Sequence, residues 1–188
     1  MQFIQSASIA EAQTTAMACL LLKKFFLDAR KSEEHLEQLS LEDIGQMKGA
    51  FQALLNMEEP MNLLRRKAEI LCKLHSKAES YAELVQQLQQ LALLEPNSEA
   101  PGIVKGKELA MYMFELLAEY HLPQEQLEQN NASFMAMFSE SLKDSQTRVR
   151  AATLKAMTKF LSMFEDEEQV LLYAPNMGSL LDIVVEVI

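Results

Sequence analysis

Arg150-Ala151-Ala152-Thr153-Leu154-Lys155 is the third appearance of one pattern in this 188-residue chain. Arg66-Lys67-Ala68-Glu69-Ile70-Leu71 and Lys107-Glu108-Leu109-Ala110-Met111-Tyr112 open the same way, with a basic residue followed by small and apolar residues at helical spacing. Between lead residues the intervals are 41 and 43 positions. That period belongs to repeats that stack pairs of helices into a solenoid. A solenoid binds through an extended face rather than a catalytic pocket, so the period points to a class of function before any single residue does.

The rest of the chain fits this reading. Nearly half the residues are apolar, so a real core is available and the chain is not a disordered tail. Glycine and proline number five each, and good helix formers dominate. All five prolines fall between periodic apolar segments. The segments between them predict helices near 10–28, 41–58, 61–77, 80–94, 104–120, 125–142, 147–164 and 177–188. The polar stretch 29–40 reads as a loop or a short helix, and EPNSEAPG at 95–102 as the clearest loop. No useful β-alternation occurs. Short connections pair 41–58 with 61–77, 80–94 with 104–120, and 125–142 with 147–164 as antiparallel neighbours. Each pair is too small to bury its apolar stripe alone, so stacking must complete the core. Ala151, Ala152 and Ala156 are expected to be the buried small residues that let helices approach closely.

The domain reading is one repeat segment over 1–188. It comprises a partial repeat at 1–28, repeats near 41–77, 80–120 and 125–164, and the start of another at 167–188. The final Ile183-Val184-Val185-Glu186-Val187-Ile188 lacks a C-cap signal, and 10–28 reads as the second helix of a pair. Both ends therefore predict a piece of a longer array.

A net charge of −10 argues against nucleic acid and anionic membranes, each of which needs a basic face, and favours basic partners. No run is long enough to span a bilayer. Cys19 and Cys72 sit in apolar helical patterns and read as small buried thiols. His35, His75 and His121 lack metal-ligand spacing and read as surface or helix-end residues. Neither a phosphate loop nor a nucleophile elbow is present. An enzyme is not indicated, and no cofactor or metal is expected. The methionines among apolar positions (Met17, Met111, Met113, Met135, Met137, Met157 and Met163) read mostly as core. Arg66, Lys107 and Arg150 read as a structural ladder tying neighbouring turns together, with Asp144 within reach of Arg150. Glu108, Tyr112, Glu115 and Glu119 share one helix face. They make either an ordinary solvated face or an acidic stripe with an aromatic anchor, suited to a Lys/Arg-rich peptide.

Asp144-Ser145-Gln146-Thr147-Arg148-Val149-Arg150-Ala151-Ala152 is similar to the D…VRxAA signature of HEAT repeats. The ordered segments Ala18-Cys19-Leu20-Leu21-Leu22-Lys23-Lys24-Phe25, Leu64-Arg65-Arg66-Lys67-Ala68, 107–120 and Leu172-Tyr173-Ala174-Pro175-Asn176-Met177 resemble the N-terminal part of an importin-beta family (karyopherin-beta) nuclear transport receptor. The resemblance is nearest to the importin-five (importin beta-3) type. It implies an all-α fold, an α-α superhelix (armadillo-like solenoid) of stacked antiparallel hairpins. It also implies protein transport between cytoplasm and nucleus, with cargo along the second helices. Ran in its GTP form would contact early second helices, and Phe-Gly nucleoporins would insert between first helices. The alternative is a HEAT scaffold for another multiprotein assembly.

Overall fold

The computed structural model describes residues 13–14, 16–24, 37–53, 55, 57–77, 81–119, 122–164, 171 and 174, with side chains at all of these except 53, 77, 119 and 124–129. Among the described residues the regular structure is entirely helical, with no strand. The named elements are α1 (Leu41–Ala53), α2 (Met61–Lys77), α3 (Tyr81–Ala92), α4 (Pro101–Glu119), α5 (Gln124–Leu142) and α6 (Thr147–Leu161). Of the helix expected at 10–28, residues 13–14 and 16–23 are helical. The helix expected at 177–188 lies outside the described residues. The chain divides into two compact units, Met1–Glu79 and Ser80–Ile188.

In the first unit α1 packs on α2. Ser40 caps α1 reciprocally: its Oγ accepts from Asp43 N–H (3.1 Å), and the Asp43 carboxylate takes bonds from Ser40 Oγ (2.6 Å) and Ser40 N–H (3.1 Å). This is a capping box with aspartate at the third position. The Ser40 bonds hold the Asp43 carboxyl below its ordinary 3.8. The folded value being the lower one, the stabilisation is complete above the ordinary carboxylate range. It is lost as pH falls through the lowered value. Ser40→Ala should therefore destabilise α1 at neutral pH and flatten that acid step, read by helix content during acid titration.

The chain leaves α1 earlier than the expected 58. Leu55 N–H turns back to Gln52 O (3.2 Å), and Pro60 disfavours helical backbone at Glu59. Gly45 and Gly49 lie inside α1, and nothing stands within 4 Å of a Cβ built on either. Alanine at both should raise stability by about 1–2 kcal/mol by restricting the unfolded chain. Urea denaturation checks this, and an unchanged midpoint would count against a continuous helix there. The α2 core is nearly continuous: Leu63, Leu64, Ala68, Ile70, Leu71, Cys72 and Leu74 are all buried.

In the second unit α3 packs on α4, α5 on α6, α3 on α5, and α4 on α6. First helices therefore neighbour first helices, and second helices neighbour second helices. This two-layer arrangement is that of a helical-repeat solenoid. The interior is aromatic. Phe134 sits edge-on between Phe114 (centroids 5.6 Å) and Phe160 (4.9 Å), and Phe138 meets the same two rings at 6.1 and 5.7 Å. Edge-to-face contact between fully buried rings adds to their area burial and knits α4, α5 and α6 together.

Several expectations change. Helix α4 begins at Pro101 rather than 104, because proline suits the first helical position, where its missing N–H costs nothing. Of the three alanines only Ala156 is buried; Ala151 and Ala152 are half-exposed. Met111, Met113, Met137 and Met157 are core, but Met17 is 59% exposed. His75 lies in the last turn of α2, the helix-end place expected, but is wholly buried rather than at the surface. His35 and His121 lie outside the described residues.

Candidate partner-binding surface

The polar framework begins with two lysines that share a register. Lys67 and Lys107 are each the seventh residue of their helix, α2 and α4. Both side chains are almost fully buried. Lys67 Nζ pairs with Glu59 Oε2 (2.5 Å) in the turn just before α2. Lys107 Nζ donates to the Glu95 carbonyl (2.9 Å) in the α3–α4 loop and to Asp144 Oδ2 (2.7 Å) in the α5–α6 turn. A buried ammonium persists only when it is paired and hydrogen-bonded, and both are.

Lys107 and Arg150 thus converge on Asp144, as the ladder reading expects. Arg150 Nη1 donates to the carbonyls of Asp144 (2.9 Å) and Ser145 (3.1 Å). Arg66 does not play the expected part; it is half-buried, and the buried position belongs to Lys67. Arg150 is the fourth residue of α6, one turn ahead of the lysine register, where Thr153 is buried instead. The lead-residue alignment therefore slips by a residue at Arg66 and by a turn at Arg150. The signal that locates Lys67 in sequence is Glu59-Pro60, an acid in the turn before a helix start.

A second tie joins the same two loops. Asn97 Oδ1 accepts from Ser145 N–H (2.9 Å). Asn97 has φ 60°, a left-handed conformation that asparagine tolerates well, and Glu95 has φ 39°. The tight course of the loop brings both the Glu95 carbonyl and the Asn97 carboxamide onto the α5–α6 turn.

Glu108, Tyr112 and Glu115 lie along α4, all half-buried, and Glu119 is its last residue, with a side chain outside the described set. Helix α4 belongs to the layer it shares with α6.

On the other layer, α3 and α5 flank a groove lined by Gln86, Gln89, Gln90, Leu93, Ser133, Ala136 and Met137. Gln89 Nε2 donates to Ser133 Oγ (2.9 Å) across it. Both cysteines are buried and unbridged. Burial pushes their thiol pKa values up, that of Cys72 furthest, with Lys67 offsetting part of the rise at Cys19. Thiolate chemistry is suppressed at both. Among the described residues, no group of three or more His, Cys, Asp or Glu side chains could hold a metal ion. No described helix is long and apolar enough to cross a membrane.

The family model described as "IPO5-like, TPR repeats" matches residues 68–188, from within α2 through the whole second unit. The chain belongs to the importin-5-like repeat family. This is a family of repeat-type transport receptors, not of enzymes, and it accounts for the alternation of first and second helices. Neither a curated protein nor a solved structure matches the chain. The starts of α2, α4 and α6, at Met61, Pro101 and Thr147, are spaced closer to the 40–47 residues of HEAT repeats than to the 34 of tetratricopeptide repeats.

Proposed function

We propose that this chain is a segment of a nuclear import receptor that works in cytoplasm and nucleus. Its partners would be basic cargo, Ran in its GTP form and Phe-Gly nucleoporins. It would form part of a longer array, with repeats near 41–77, 80–120 and 125–164 between a partial repeat at 1–28 and another beginning at 167–188. The observation that carries this reading is the importin-5-like match over 68–188, on helix pairs stacked first-to-first and second-to-second.

Cargo binding falls to α4. Glu108, Tyr112, Glu115 and Glu119 would receive a Lys/Arg-rich segment, the carboxylates steering it and the tyrosine packing on an aliphatic stem. Nucleoporin binding falls to the α3–α5 groove, whose apolar floor of Leu93, Ala136 and Met137 suits an inserted ring.

The deciding experiment is a pull-down of the full-length protein with Ran loaded with GTP or GDP. Selective capture of the GTP form supports the reading. Equal and negligible capture of both forms would favour a HEAT scaffold for a different assembly. Glu108→Lys with Glu115→Lys should weaken binding of a lysine-rich peptide at least about tenfold, in a salt-dependent manner.

A further inference from the structure

A half-open cavity of about 260 Å³ lies where the α3–α4 loop meets the end of α5. Its volume is below the roughly 300–1,000 Å³ of sites for drug-sized ligands, and suits a single side chain. Ala92, Leu93 and Pro96 form its apolar wall; Asn97, Ser141 and the Lys107–Asp144 pair supply polar groups.

Three observations define what it would accept. First, its charges cancel pairwise: Lys107 is neutralised by Asp144 (2.7 Å), and Lys143 by Glu140 (2.8 Å). A charged guest would have to break one of these pairs or remain uncompensated. Second, Ser141 is only 3% exposed, yet its Oγ has no hydrogen-bond partner. A buried hydroxyl without a partner carries a desolvation cost that a guest able to bond with it would relieve. Third, the Asn97 carbonyl oxygen is engaged by Ser145, which leaves its amide N–H groups as donors. The unmet chemistry is therefore a hydroxyl that both donates and accepts, beside an amide that donates, above an apolar wall.

We propose that this cavity is a recognition pocket for one neutral carboxamide side chain, glutamine or asparagine, presented by a partner segment. The carboxamide oxygen accepts from Asn97, its nitrogen donates to Ser141 Oγ once that enclosed hydroxyl rotates toward the cavity its residue lines, and the aliphatic stem rests on Leu93 and Pro96. The adjoining groove shares Leu93 and is lined by Gln86, Gln89, Gln90 and Ser133, none of them charged, giving the rest of an uncharged segment a path. The inference stands apart from the transport reading, since its selectivity rests on the cavity's own groups; the groove proposed above for nucleoporins only offers the flanking segment a path.

The test uses NMR titration of the 188-residue chain with capped tripeptides, alanine on each side of Gln, Glu, Lys or Phe. Saturable shifts at the Asn97, Ser141 and Ser145 amides are expected with the glutamine peptide, with affinity at least about tenfold above the other three. Ser141→Ala folds readily, because it removes an unsatisfied hydroxyl, and should lower glutamine-peptide affinity about tenfold, the worth of one hydrogen bond. Asn97→Asp should also lower it by replacing donors with a charge. Shifts that do not saturate, equal or better binding of the charged or phenylalanine peptides, or an affinity untouched by Ser141→Ala would each overturn the proposal.

Discussion

Replacing Lys107 with alanine is expected to cost roughly 3–5 kcal/mol, a large share of the stability of an ordinary domain. Lys107 is 1% exposed and its ammonium serves two loops at once, Glu95 O at 2.9 Å and Asp144 Oδ2 at 2.7 Å. Its removal strands the carboxylate of Asp144, a residue only 6% exposed, with one remaining hydrogen bond from Gln146 N–H. The dominant penalty is that stranded charge, not the lost attraction. Lys107→Met combined with Asp144→Asn should therefore recover part of the loss, because no uncompensated charge remains. Arg150→Ala should cost less, roughly 1.5–3 kcal/mol, since its guanidinium bonds neutral carbonyls and the Thr147 hydroxyl and its loss strands no buried charge. Thermal or urea denaturation of the three variants ranks them. If Lys107→Ala and Arg150→Ala prove equally mild, the Lys107–Asp144 pair does not hold the second unit together.

Ala156→Glu should disrupt the second unit outright, while Ala152→Glu should stay within about 1 kcal/mol of the parent. Ala156 is wholly buried on α6, next to Met157 and one turn before Phe160, both also buried. A glutamate there must force the close-packed interior apart and bury an unpaired carboxylate, two of the mechanisms behind the largest mutational losses. Ala152 is half-exposed, so the same substitution can direct its carboxylate to water. Circular dichroism and hydrogen exchange across α4 and α6 separate the outcomes. Comparable damage from both would mean that α6 is rotated from the face described.

Much of this architecture is legible in sequence, and the failures have physical causes. Prolines and the 3.6-residue period mark the helices, because backbone geometry and amphipathicity are local properties. The boundaries at 61 and 147 follow directly from that. Which basic residue is buried is not local. Arg66 and Lys67 are adjacent in sequence, and the choice between them depends on Glu59 lying within reach of one. Ala152 and Ala156 occupy similar-looking helical positions, yet only contact with neighbouring helices separates the buried one from the half-exposed one. The α4 start could have been read correctly, since a proline followed by an apolar-periodic segment is a helix-start signal. Of the candidate surface, the alignment of Glu108, Tyr112 and Glu115 along α4 follows from spacing alone. Ser141 gave no signal, because an unsatisfied hydroxyl is defined by what fails to surround it.

The Lys107–Asp144 and Asn97–Ser145 ties also have a mechanical consequence. Both fasten the two hairpins of the second unit at the same end, where their loops lie. The chain itself joins the same hairpins at the opposite end, where only four residues separate Glu119 from Gln124, so the second unit is fastened at both ends of its hairpin seam. The helix ends that neither tie nor connection holds across the seam are the start of α3 at Tyr81 and the end of α6 at Leu161, and a partner that bends this stretch gains most leverage there.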